Sequence, residues 1–281
     1  MVITKEKQQY TQSGENLVLH SIKNFDPEEI FDCGQAFRFS ETNGVWQGVA
    51  FGKVVTCKRE GDTVIFYHMT EKDFIEIWYD YFTLDMDYDR VIQIISQDET
   101  LKCAAAFAKG IRILRQDPWE TLCSFIISQN NNIPRIKGII ARLCETFGDE
   151  IEPGFFSFPS PDRLADLTVE DLQPLRAGFR AKYILDAAKK ITAGQVEIYR
   201  LKHLPYEEAK QELLKIKGVG QKVADCALLF GCEKLEAFPE DVWIKRVMAM
   251  LLPAGLPECA REYAGIAQQY LFHYARNHNI K

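Results

Sequence analysis

Between residues 36 and 67 the apolar positions fall in short runs broken by turn residues. Ala36-Phe37-Arg38-Phe39, Val45 to Ala50, Val54 to Cys57 and Thr63 to Tyr67 are rich in β-branched and aromatic side chains. Thr42-Asn43-Gly44, Phe51-Gly52-Lys53 and Glu60-Gly61-Asp62 separate them, and such turns between such runs predict hairpins in an antiparallel meander. From about residue 70 the apolar spacing changes to three and four, through Phe74, Ile77, Trp78 and Tyr81, then Val91, Ile94 and Ile95. Pro118 suits the first turn of a helix running through Leu122, Phe125 and Ile126. Ile136, Ile139, Ile140, Leu143 and Phe147 mark another, closed by Gly148. Thr168-Val169-Glu170-Asp171 has the spacing of a capping box, and helical patterns follow over Tyr183 to Ile191 and Tyr206 to Ile216. The expected fold class is α+β. It comprises an N-terminal antiparallel twisted sheet domain with flanking helices over residues 1–100, and a helical body over residues 101–281.

Composition narrows the class. At 47% hydrophobic residues the chain can bury a sizeable core, which excludes wholesale disorder. No apolar run approaches the roughly 18–20 residues of a membrane span, and Met1 to Lys7 lacks the apolar centre of a signal peptide. The expectation is an intracellular protein without a membrane. None of the eight cysteines forms a C-x-x-C pair, and most lie in apolar runs, so buried reduced thiols are expected and no metal. The net charge of −6 argues at first against nucleic acid. Residues 71–100 alone carry nine acids and two bases, so the remainder is close to neutral. An acidic segment turned away from DNA leaves room for a modest basic face elsewhere.

The chemistry concentrates in Leu213-Leu214-Lys215-Ile216-Lys217-Gly218-Val219-Gly220-Gln221-Lys222-Val223-Ala224-Asp225-Cys226. An amphipathic helix ends at Gly218, a two-glycine turn follows, and a second helix runs to Phe230 before Gly231. Free N–H groups of such a turn, at a helix start, suit a phosphate oxygen. Lys222 lies in the first turn of that helix, where the dipole disfavours a charged ammonium. A lysine nucleophile must be neutral, so on residue type Lys222 is either a solvated helix lysine or a nucleophile. Downstream, Asp241 precedes Val242, Trp243, Ile244 and Val247 as a helix N-cap. Its carboxylate is a cap alone, or also a fixed anion able to stabilise a cationic sugar.

Gly218-Val219-Gly220-Gln221-Lys222-Val223-Ala224-Asp225 followed by Pro239-Glu240-Asp241-Val242 resembles the helix–hairpin–helix, Gly/Pro-Asp signature of DNA glycosylases. From about residue 15 onward the chain is most similar to the 8-oxoguanine DNA glycosylase family, with the hairpin at about 206–231. The resemblance implies base-excision repair: 8-oxoguanine, preferably opposite cytosine, is flipped out and excised through a Lys222 Schiff base, with associated strand cleavage and Asp241 as the second catalytic residue. It places Gly34 on N7–H of the damaged base, Cys226 and Phe272 on its two faces, and Gln268 on its pairing edge. Asn130, Arg135 and Arg180 match residues that read the orphaned cytosine, and Phe179 matches the wedge aromatic. Phosphate contacts fall to Gly218, Val219, Gly220, Lys217 and Lys245, with Lys182 and Arg246 nearby. Two positions depart from animal members: Trp243 replaces a histidine, and Phe179 a tyrosine.

The implied partner is double-stranded DNA containing 8-oxoguanine, bound by a monomer without a cofactor. The implied compartment is the cytoplasm or nucleoid of a bacterium, or the nucleus of a eukaryote. A monofunctional alkylpurine glycosylase would lack the lysine. An endonuclease III or adenine glycosylase relative would usually carry four clustered cysteines near its end, whereas only Cys259 lies beyond residue 232. A non-catalytic helix–hairpin–helix DNA-binding module, and a glycosylase for another damaged base, remain as alternatives.

Overall fold

A computed structural model describes residues 9–278, so the Met1 to Lys7 segment weighed above as a possible leader lies outside the described residues. Strands β1 (Tyr10–Ser13), β2 (Asn16–Leu19), β3 (Phe39–Thr42), β4 (Val45–Ala50), β5 (Lys53–Glu60) and β6 (Thr63–Tyr67) form one antiparallel sheet in the order β1-β2-β6-β5-β4-β3. The meander is thus present as β3–β6. The β1–β2 hairpin added beyond β6 was not anticipated, because three of the four β1 residues are exposed and give no apolar signal.

The first strand of the meander is shifted. Ala36-Phe37-Arg38-Phe39 was expected to be a strand, yet only Phe39 belongs to β3. Phe37 instead packs into the helical body, its ring 5.8 Å from Phe125, and Arg38 pairs with Glu120 at 3.1 Å. The apolar run therefore reflects docking between layers, not strand pairing. Behind the sheet lies α1 (Pro27–Phe31), and a helical stretch over residues 71–81 has a π-helical middle at Phe74–Trp78. Phe25, Phe31, Phe66, Phe74, Trp78 and Phe82 build the aromatic core of this layer.

The longer helices of the helical body are α2 (Tyr88–Ile95), α3 (Glu99–Phe107), α4 (Pro118–Ser128), α5 (Ile133–Phe147), α6 (Ala181–Thr192), α7 (Tyr206–Leu214), α8 (Gln221–Gly231), α9 (Val242–Leu251) and α10 (Ala264–Asn277). Local chemistry sets the starts. Asp87, Asp98, Asp117 and Asn132 each cap the following helix through their side-chain oxygen, and Pro118 takes the first turn of α4. Several acids of residues 71–100 are therefore engaged locally, two as these caps and Asp80 and Asp85 in ion pairs with Arg115. A small hairpin, β7 (Glu150–Glu152) with β8 (Phe155–Phe156), interrupts the helices.

The Thr168 capping box forms its reciprocal bonds: the Thr168 N–H donates to Asp171 at 2.8 Å and the Asp171 N–H to Thr168 Oγ1 at 3.3 Å. It opens only a turn and a short 3-10 segment, Gln173–Leu175. Pro174 has no N–H to continue an α-helix. At the centre of the body α4 packs on α8, with the Phe125 and Phe230 rings stacked 5.3 Å apart. All eight cysteines are free; Cys103 is exposed and Cys259 half-buried.

Candidate active site

The α4–α8 contact forms the floor of a cavity of about 50 Å³. It is lined by Cys33, Gly34, Phe125, Lys222, Cys226, Phe230, Pro239, Asp241, Gln268, Gln269 and Phe272. Lys222, Asp241, Gly34, Cys226, Gln268 and Phe272, singled out from four separate stretches of sequence, therefore meet on one hollow.

Lys222 stands in the first turn of α8, its Nζ 3.4 Å from Ser128 Oγ and 5.0 Å from the centre of the Phe125 ring. Four residues on, Cys226 is buried on the same helix face. Burial pushes its thiol up to about 11, with the nearby Lys222 charge pulling the other way, so the thiol stays protonated at neutral pH. Asp241 caps α9, one carboxylate oxygen accepting the Ile244 N–H at 2.8 Å. From α10 come Gln268 and Phe272. Gln268 is 5% exposed, and its Oε1 is buried without a hydrogen-bond partner. An unpaired buried acceptor costs about 1–3 kcal/mol, so it marks a place kept for a donor.

Gly34 lies on the segment that crosses from the sheet layer. Its φ of +81° is a conformation that L side chains rarely adopt, and an added Cβ would sit 3.4 Å from the Phe272 ring. Several bonds fix this crossing. Arg276 on α10 holds the Asp32 carboxylate and carbonyl, Arg38 pairs with Glu120 on α4, and Lys137 on α5 donates to the Phe39 carbonyl at 2.8 Å.

Asn130, Arg135, Phe179 and Arg180 do not reach the cavity; they gather beyond the C-terminal end of α4. Asn130 and Arg135 are exposed, and Phe179 is 46% exposed. Arg180 is folded inward at 2% exposure, donating to the carbonyls of Gln129, Asn130 and Ala177, with its guanidinium 4.5 Å from the Phe179 ring. Burial, then the Arg135 charge, lowers its pKa. The arginine expected to reach outward to cytosine thus has its donors engaged with the backbone.

The hairpin between α7 and α8 is equally specific about its donors. The Lys217 N–H goes to Asp186 at 2.7 Å and the Val219 N–H to Ile216 at 3.1 Å. Val219 is buried, whereas Gly220 is exposed and Gly218 half-exposed. Among the described residues, the hairpin N–H groups without a protein partner are therefore those of Gly218 and Gly220, with the exposed Lys217 and Lys245 side chains as added charge. Trp243 is half-buried at the start of α9, 5.7 Å below the Arg246 guanidinium.

The sequence alone does not single out the wall residues Cys33, Phe125, Phe230 and Gln269, or Ser128 beside Lys222. Phe125 and Ser128 sit in an apolar core run, and Ser128 is 94 positions from Lys222. Nothing local distinguishes them from packing.

Residues 17–122 match the family model of the 8-oxoguanine DNA glycosylase N-terminal domain, and residues 123–257 that of the HhH-GPD superfamily base excision DNA repair protein. A solved structure of Clostridium acetobutylicum 8-oxoguanine glycosylase/lyase, bound to double-stranded DNA with cytosine opposite 8-oxoguanine, is 39% identical. It superposes with a TM-score of 0.90 over 96% of this chain and 98% of that one. The chain belongs to the 8-oxoguanine DNA glycosylase family. A second structure in the family's fold, MBOgg1 in complex with a low-affinity DNA ligand, gives a TM-score of 0.91 at 42% identity, covering 97% of this chain and 99% of that one. An N-glycosylase/DNA lyase of Saccharomyces cerevisiae is 36% identical over 182 residues, 59% of this chain, and the match spans about half (48%) of the yeast protein. No helix among the described residues is long and apolar enough to cross a membrane.

Proposed function

We propose that the chain is a bifunctional glycosylase and abasic-site lyase that removes 8-oxoguanine from duplex DNA. The observation that carries this reading is one cavity in which an amine, a helix-capping carboxylate and an unpaired amide oxygen converge beside a half-buried glycine. A DNA-binding module without chemistry has no use for an amine and a carboxylate brought together in one hollow.

In this account Lys222 Nζ, as the neutral amine, attacks C1′ of the extruded nucleotide. The N-glycosidic bond breaks with its electron pair going to the base, which leaves after taking a proton. Opening of the sugar ring gives the protonated imine between Lys222 and C1′. Loss of a C2′ proton then expels the 3′ phosphate and cleaves the strand. Asp241 faces the positive charge that develops at C1′ with the oxygen that the α9 cap leaves available.

Base recognition follows from donors and acceptors. The Gly34 carbonyl accepts N7–H of 8-oxoguanine, where guanine presents a lone pair and is repelled. Gln268 Oε1 accepts from the pairing edge, and Cys226 and Phe272 cover the two faces. At about 50 Å³ the cavity is smaller than the roughly 150 Å³ that admits benzene. A purine therefore enters only as the rim moves, Phe272 above all, since its ring stands against Gly34. Phe179 fills the gap left in the duplex. Exposed Arg135, with one 3.4 Å contact to the Arg176 carbonyl, and Asn130 meet the orphaned cytosine; Arg180 joins them by releasing a backbone carbonyl. Gly218 and Gly220 N–H groups, with Lys217 and Lys245, hold phosphates. The protein acts as a monomer wherever its DNA resides: cytoplasm or nucleoid in a bacterium, nucleus in a eukaryote.

The test is a duplex with one 8-oxoguanine opposite each of the four bases, scored for free base and for strand cleavage. The reading requires both products with wild type, fastest opposite cytosine, and neither with Lys222→Gln. Binding without any base release would favour the non-catalytic module.

A further inference from the structure

We infer that Gln269 is a positioning residue that sets the Gly34 carbonyl and so governs discrimination between the damaged base and guanine; this rests on the function proposed above. Gln269 follows Gln268 on α10 and is 2% exposed. Its Nε2 donates to the Cys33 carbonyl at 2.5 Å. On the other side, Gln116 Nε2 donates to the Gln35 carbonyl at 2.9 Å. The Gln35 side chain is itself fixed. Its amide donates to the carbonyls of Ile30 at 3.0 Å and Arg112 at 2.8 Å, and its oxygen accepts the Leu114 N–H at 2.9 Å.

Of three consecutive carbonyls, those of Cys33 and Gln35 are thus each held by a glutamine amide from a different part of the fold. Among the described residues no hydrogen bond engages the one between them, Gly34 O, although Gly34 lines the cavity. The arrangement has a physical rationale. Gly34 has no side chain and φ of +81°, so it is the loosest joint in this segment. A carbonyl on such a joint discriminates between N7–H and an N7 lone pair only if it cannot turn aside. Holding the peptide plane on each side removes that freedom without occupying the acceptor. Gln269 does this from the helix that also carries the pairing-edge and stacking residues, which ties the three recognition elements into one frame.

Three duplexes test this in a Lys222→Gln background, which halts chemistry: one with 8-oxoguanine, one with guanine and one with a tetrahydrofuran abasic analogue, each opposite cytosine. Gln269→Met keeps the volume and removes the donor. The expected result is a fall of about tenfold in the affinity ratio of 8-oxoguanine to guanine, the scale of one misoriented neutral hydrogen bond. Affinity for the tetrahydrofuran duplex, which has no base to read, should change less than twofold. A purely structural role would weaken all three together and leave the ratio unchanged, and that result would overturn the inference. If Gln269→Met does not fold, Gln116→Met removes the opposite clamp and must lower the same ratio; a ratio unmoved there overturns it equally. Should Lys222→Gln alone show no preference for 8-oxoguanine over guanine, the proposed function fails first, and this inference with it.

Discussion

Replacing Gly218 by alanine should damage the hairpin by an amount that can be worked from its surroundings. Gly218 has φ of +82°, and an added Cβ would lie 2.4 Å from Tyr183 Cγ and Cδ2 and 2.6 Å from Cδ1. The left-handed conformation costs an alanine roughly 1–2 kcal/mol. The methyl also meets the body of an aromatic ring, not the end of a flexible chain, and overpacking of that kind costs about 1–3 kcal/mol. Tyr183 cannot readily retreat. It belongs to α6, whose Asp186 also binds the Lys217 N–H at 2.7 Å and Lys190 at 2.9 Å. The expected loss is about 2–5 kcal/mol, or a Tm lower by roughly 5–15 °C for a chain of this size. Since Lys222 stands four residues further on, cleavage of an abasic-site duplex should fall with it. The two contributions separate in a double-mutant cycle. In a Tyr183→Ala background the clash is gone, so Gly218→Ala should cost only the conformational part, about 1–2 kcal/mol. A Gly218→Ala protein with unchanged melting, or an equal cost with and without the Tyr183 ring, would refute the reasoning.

Other outcomes follow from the same geometry. Asp241→Asn keeps a good helix cap but removes the negative charge, so Tm should move little while single-turnover excision falls about 10²–10³-fold; a matching loss of Tm would make the carboxylate a cap alone. Burial pushes the thiols of Cys226 up to about 11 and of Cys33, Cys144 and Cys232 up to about 12. These raised values mean the folded protein keeps protons that the unfolded chain loses above about 8.5. Stability should therefore be undiminished by these groups below that pH and decline from there up to each thiol's raised value, by about 1.4 kcal/mol per pH unit for each thiol. Denaturant titrations between pH 8 and 10.5 would show it, and a flat profile would contradict it. Arg38→Met strands Glu120, whose pKa burial already raises, in the layer interface. The variant should lose about 3–5 kcal/mol of stability, and the Arg38→Met, Glu120→Gln pair should recover part of it in urea melts.

Much of the site was legible in the sequence because its chemistry leaves local marks. Two glycines, a first-turn lysine and a capping aspartate have spacings that survive without knowledge of the fold. So do hairpin turns such as Asn43-Gly44. What escaped depends on contacts between distant segments. Phe37 and Arg38 have strand-like composition, yet serve as a dock for α4. The Thr168 box makes its bonds, but Pro174 denies it a helix. Ser128 and Phe125 look like core, and the turn of the Arg180 guanidinium toward Gln129 and Asn130 is a tertiary choice with no sequence mark. Gln269 is the sharpest case. Beside Gln268 it is one more amide on a helix, and only the 236-residue closure onto Cys33 shows what it holds.

The central claim is that Lys222 forms the covalent bond to the damaged nucleotide. Borohydride reduction during reaction with an 8-oxoguanine:cytosine duplex, followed by mass-spectrometric mapping of the linked peptide, tests it most directly. Wild type should give a trapped complex joined through Lys222 and absent from Lys222→Gln. No trapped complex with wild type, or one that persists at another residue in Lys222→Gln, would contradict it.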